Sequence, residues 1–136
     1  MYKIEKTSYG LCVRIAGIYA EGELARYVAE KEAICAEFDK PYSMLVDLRE
    51  AIPPSSEDHQ RLQDSQRRQL EGNLERIAIV VISPILEFNA RQVGFSAGTE
   101  DATRFINANR NPDWEKQALR WVIHGLEPEL VTPAIK

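Results

Sequence analysis

The chain reads as one α/β domain built on a mixed sheet of four to five strands, and three features of the sequence predict it. An alternating hairpin opens the chain, Ile77 to Ile82 is a β-branched run apolar on both faces, and the segments between apolar runs carry a 3.6-residue period. A strand that is apolar on both faces belongs inside a sheet with helices on either side, the setting of parallel strands joined by crossovers.

Taken in order, Tyr2 to Lys6 alternates weakly and predicts a first strand. Ser8-Tyr9-Gly10 supplies a turn, and Leu11 to Ala16 returns with Leu11, Val13 and Ile15 on one face. Ala20 to Phe38 is helical, with Leu24, Tyr27, Val28, Ile34, Cys35 and Phe38 along one stripe and Glu21, Glu23, Glu30, Lys31 and Glu37 off it. Asp39-Lys40-Pro41 stops that helix, and Ser43 to Leu48 forms a short strand running into the polar Asp47-Leu48-Arg49-Glu50. After Pro53-Pro54, Ser55 as N-cap and Asp58 at the third helical position predict a helix to about Glu71, ended by Gly72. Only Leu62 and Leu70 are large and apolar along it, so its core-facing stripe is thin.

The run Ile77 to Ile82 supplies the central strand. Ser83-Pro84 then caps a helix whose inward stripe is Leu86, Ala90, Val93 and Ala97, with Ile85, Phe88 and Phe95 to its side and Gly98 at its end. Thr103 to Ile106 is a short strand, and Asn111-Pro112-Asp113 caps a last helix with Trp114, Ala118, Trp121 and Val122 on one face. The order is β-β-α-β-α-β-α-(β)-α, with the later strands parallel. Residues 1–125 form the domain, and residues 126–136 form a C-terminal tail with two prolines lying on the surface.

Composition narrows the function classes. Seventeen basic against 21 acidic residues leave a net charge of −4, the wrong sign for a phosphate-binding surface, so no nucleic-acid partner is expected. The N-terminus lacks the apolar segment of a signal peptide, and the longest apolar run is too short to span a bilayer. A cytoplasmic protein with no membrane insertion is expected. Cys12 and Cys35 have neither CxxC spacing nor paired histidines, and read as core thiols. No metal, cofactor or catalytic residue is assigned.

Several strings then carry a likeness. The opening hairpin, the strand ending Leu45-Val46-Asp47-Leu48-Arg49, the strand Ile77 to Ile82 with its capped helix, and Thr103-Arg104-Phe105-Ile106 followed by Trp114 to Trp121 resemble the SpoIIAA-like or STAS domains, closest to the small uncharacterised bacterial proteins of that superfamily. The resemblance runs to about residue 123. It implies a SpoIIAA-like fold and a non-enzymatic interaction module in bacterial regulation, binding a protein partner or itself as a homodimer. It extends structurally to CRAL-TRIO lipid carriers, which implies the alternative of a carrier or sensor for a small apolar or amphipathic ligand. Phosphorylated members of the family carry a serine in a motif like Asp-Ser-Ser-Gly-Leu. Here that stretch reads Pro54-Ser55-Ser56-Glu57-Asp58, which makes Ser55 and Ser56 candidate phosphosites. The glycine and leucine are absent, and Glu57 and Asp58 would repel a phosphate.

Other candidates come from the residues themselves. Asp47 and Arg49 end a central strand, the edge where open α/β sheets bind ligands; with Ser83 and the two helix N-termini they would hold a small anion, or they pair with each other. His59, near Glu57, Asp58 and Asp64, has the neighbours of a general base or half a metal site, or lies on a solvated helix face; His124 complements a helix end. Ile85, Phe88 and Phe95 offer more apolar surface than one stripe needs, which suits a groove or dimer patch, or completes the core against the last helix.

Overall fold

The turn from Thr7 to Gly10 decides how the sheet begins. In the computed structural model, which describes residues 1–17 and 19–128, β1 (Tyr2–Lys6) pairs antiparallel with β2 (Gly10–Gly17). Gly10 has φ 141°, and a Cβ there would lie 2.2 Å from the carbonyl oxygen of Ser43. Only glycine lets β2 start so close to its next neighbour.

From β2 onward the chain alternates helix and strand. α1 (Glu23–Cys35), β3 (Tyr42–Ala51), α2 (Ser56–Glu71), β4 (Leu74–Val81), α3 (Pro84–Ala97), β5 (Thr103–Asn107) and α4 (Trp114–His124) follow in order. The sheet runs β1-β2-β3-β4-β5, and every pair after the hairpin is parallel. Each crossover steps one strand in the same direction, so connections of one hand put α1, α2 and α3 on the same face. α4 alone lies across β3, β4 and β5 on the other.

Strand alternation sorts the core into two layers. Leu11, Val13, Ile15, Met44, Val46, Ile77, Ile79 and Val81 face α1–α3. Leu45, Ala78, Val80 and Ile106 face α4, where Ala118, Trp121 and Val122 cover them. The Trp121 indole donates to the carbonyls of Ile77 at 3.0 Å and Ala102 at 3.2 Å, which ties α4 to the sheet as well as covering it. Among the described residues no helix is long and apolar enough to cross a membrane.

The starts of α2 and α3 follow their sequence signals, whereas Asp113 at the start of α4 makes no side-chain cap bond. Ser55 Oγ accepts the Asp58 amide at 3.2 Å, and Ser83 Oγ accepts the Leu86 amide at 3.4 Å with Pro84 next in the chain. Other expectations differ: α1 spans Glu23–Cys35, shorter at both ends than Ala20 to Phe38. The β3 and β4 strands are longer than their apolar runs, because backbone pairing continues past the residues that must be buried. On α2 the buried residues are Ser65 and Gln69, while Leu70 is more than a third exposed beside Gly98. Gln69 Nε2 has Tyr42 Oη at 3.2 Å, Met44 Sδ at 3.2 Å and Cys35 Sγ at 3.3 Å around it as acceptors for its two N–H bonds, while its Oε1 has no partner among the described residues.

Ser55→Ala should therefore destabilise the domain by about 1 kcal/mol, as loss of an N-cap does. Ser56→Ala, one residue inside the helix and exposed, should cost less than about 0.5 kcal/mol. Urea denaturation of the two variants separates them; equal losses would mean that Ser55 is not the working cap.

Candidate functional site

The end of β3 splits the residues expected to meet there. Alternation along the strand turns Asp47 and Arg49 toward α4. The Asp47 carboxylate accepts from the Arg49 amide (3.0 Å), Nε (3.0 Å) and Nη2 (2.9 Å), and Arg14 Nε stands 3.9 Å away. Burial pushes the Asp47 carboxyl up, but the bonds from Arg49 outweigh this and hold it below the ordinary carboxylate value. The Arg49 guanidinium in turn lies 4.1 Å from the centre of the Trp114 ring. Asp47 and Arg49 thus clamp the start of α4 to β3, beside an open groove of about 450 Å³ that Tyr9, Cys12 and Trp114 also line. The helices capped by Ser55 and Ser83 pack on the opposite face, so the sheet stands between the two halves of the expected anion site. Ser55 and Ser56 are both exposed at the α2 N-terminus.

His59 is half-buried between α2 and α3. Its Nδ1 lies 3.2 Å from Gln63 Nε2 and its Nε2 lies 3.3 Å from the carbonyl of Asn89. An amide that can only donate to Nδ1 makes Nε2 the protonated nitrogen, donating to Asn89. The ring is a strut between helices. His124 is exposed in the last turn of α4. Cys12 and Cys35 are free, partly buried thiols, each pushed up by burial. Among the described residues no three side chains are grouped as metal ligands.

On α3 the outward residues stay outward. Ile85, Phe88 and Phe95 are 65%, 62% and 71% exposed, and the last helix, on the far face of the sheet, does not cover them. Beside them runs a groove of about 550 Å³ lined by His59, Gln63, Phe88, Arg91, Phe95 and Phe105. Arg91 stacks 4.2 Å above the Phe105 ring and pairs with Glu87 at 3.0 Å, which fixes the groove wall.

One residue departs from its expected place. Lys31 lies on the buried face of α1 and is only 2% exposed. It is four residues from Tyr27 and three from Ile34, so the 3.6-residue period places it on the apolar stripe; its charge argues for the outside, and here the period wins. Its side chain lines a cavity of about 70 Å³ between the sheet and the helices, with walls from Ile15, Met44, Val46, Ile79, Leu86 and Val93. The ammonium sits 5.1 Å from the centre of the Tyr27 ring. No hydrogen bond or ion pair reaches it among the described residues. Burial pushes the amine down to about 8, against weaker opposing effects of Cys35 and Glu32.

No protein-family model matches the chain, and neither a curated protein nor a solved structure is significantly similar to it.

Lys31 and Asp47 make opposite contributions to stability. An unfolded lysine titrates near 10.5 and Lys31 near 8, so between those values the unfolded chain holds more protons and the Lys31 contribution becomes more favourable as pH rises. At neutral pH the burial cost is fully present. Lys31→Met should then stabilise the protein at neutral pH by on the order of 3 kcal/mol, an advantage that fades toward pH ~10. Urea denaturation of wild type and variant across that range reads the difference. A less stable variant would mean that the amine is paired. Asp47→Asn should destabilise at neutral pH. Because the folded carboxyl lies below its unfolded value, that loss should persist above pH ~4 and disappear as pH falls through the folded pKa. The same denaturation series in acid checks it.

Proposed function

We propose that the chain is a non-enzymatic, STAS-like interaction module that recognises a second copy of itself through the outer face of α3. The observation that carries this reading is the exposure of Ile85, Phe88 and Phe95 on one helix, beside a groove with an apolar wall. A face bearing both protruding rings and a groove is self-complementary across a two-fold axis: the ring of each protomer enters the groove of the other. Three aromatic or branched side chains suit the centre of such a patch, and Glu87, Arg91 and Gln92 suit its polar rim. The resemblance of the strands and helix starts to the SpoIIAA-like domains supports the same reading.

The exposed serines give a phosphorylation switch less support. Ser55 already serves as the α2 cap, and Glu57 and Asp58 add negative charge where a phosphate would sit. A carrier of lipid-sized cargo also has little room: a cavity of about 70 Å³ compares with roughly 300–1,000 Å³ for sites that enclose drug-sized ligands.

Native mass spectrometry and sedimentation velocity test the proposal. Wild type should be a dimer at micromolar concentration, and Phe88→Asp should be a monomer with unchanged circular dichroism and thermal unfolding. A wild type that remains monomeric at every concentration would end the self-association reading.

A further inference from the structure

The cavity beneath α1, α2 and α3 has a buried cation and no carboxylate among the described residues that line it. Lys31 lines it, as do Tyr19 and Tyr27, and neither tyrosine hydroxyl has a hydrogen-bond partner among the described residues. No aspartate or glutamate is among the residues that line it. The nearest carboxylate along α1, Glu32, is engaged elsewhere, holding Arg68 through Nε and through Nη2 at 3.0 Å. Stacking on the Tyr27 ring offsets part of the burial cost of the ammonium, about 2 kcal/mol for a desolvated pair. Removing an ammonium from water costs several kcal/mol. A buried cation of this kind is incomplete until an anion joins it.

The surroundings select the anion. The cavity lining has one ammonium and no guanidinium, which matches one negative charge, and a doubly charged phosphate would remain half-neutralised between apolar walls. A neutral molecule would leave Lys31 as it is. Ile15, Met44, Val46, Ile79 and Leu86 offer a surface for a short alkyl group. A cavity of about 150 Å³ holds benzene, so about 70 Å³ suits a molecule of about four or five non-hydrogen atoms. Ile52, 43% exposed, and Pro54 stand at the rim and mark the way in.

We infer that this cavity is a binding site for a small monocarboxylate, whose carboxylate pairs with the Lys31 ammonium while its alkyl group packs on Ile15, Met44, Val46 and Ile79. Tyr19 and Tyr27 are the donors available to its second oxygen. The site lies on the inner side of the helices that carry the exposed α3 patch, and it stands whether or not that patch mediates self-association.

Methyl-resolved NMR titration with sodium propionate, and with propionamide as its neutral counterpart, tests the site. Propionate should shift the methyls of Ile15, Met44, Val46 and Ile79 saturably with a dissociation constant of about 1–10 mM, a value within reach for five heavy atoms. Propionamide should bind at least about tenfold more weakly, and so should propionate to Lys31→Met, which the same spectra show to be folded. The propionamide comparison is made on wild type and depends on no variant. Absence of shifts at those methyls up to about 100 mM propionate, equal binding of propionamide, or undiminished binding by Lys31→Met would each overturn the assignment.

Discussion

From Ile77 to Val81, strand β4 has no solvent-facing side, and much of the architecture follows from that. Ile77, Ala78, Ile79, Val80 and Val81 are all buried, so the sheet must be covered on both faces. One-directional crossovers can cover only one of them. The other face depends on α4, the last helix of the chain, and on what holds it there. The Trp121 indole bonds to two backbone carbonyls, Arg104 stacks 4.1 Å from the Trp121 ring centre, and Arg49 stacks on Trp114. Burying apolar area supplies the driving force; these directional contacts set where the helix lies.

The same asymmetry distributes the chemically interesting groups. The α4 face carries the Asp47–Arg49 pair, whose charges satisfy each other and whose role is to secure a helix. The three-helix face carries the Lys31 ammonium, which rests on the Tyr27 ring and has no ion pair or hydrogen bond among the described residues. A chain under selection for stability alone has apolar alternatives at position 31, because a methionine would fill similar space without the burial cost. Retaining a lysine there places a local conflict inside an otherwise consistent core, and such conflicts gather at working sites. The polar residues of α2 add to it. Ser65 Oγ and Gln69 Oε1 are buried without a partner among the described residues, on a helix that contributes to the cavity wall.

α3 faces both ways. Leu86, Ala90 and Val93 look into the cavity, while Phe88 and Phe95 look outward beside a groove. A helix with a mixed burden of this kind has a broad apolar surface of which the domain core uses only part. That breadth is why Ile85, Phe88 and Phe95 could be read equally as interface or as core. The two alternatives are separated by the position of α4 across the sheet.

From the sequence alone came the α/β class, the opening hairpin, both serine caps and the inward stripe of α3, because each rests on local period and on the chemistry of a few adjacent residues. Element ends were less legible, since strand pairing in β3 and β4 runs beyond the residues that need burial. The side of the sheet taken by Asp47 and Arg49 against the helices capped by Ser55 and Ser83 follows from strand parity combined with crossover direction, which no single segment states. Lys31 is the sharpest case. Its charge sets it off the apolar stripe in the sequence, although its spacing from Tyr27 and Ile34 matches that stripe. Tertiary packing decided it: α1 packs beside α2, Leu24, Tyr27 and Lys31 on its inner stripe are buried, and the ammonium goes where the helix period carries it.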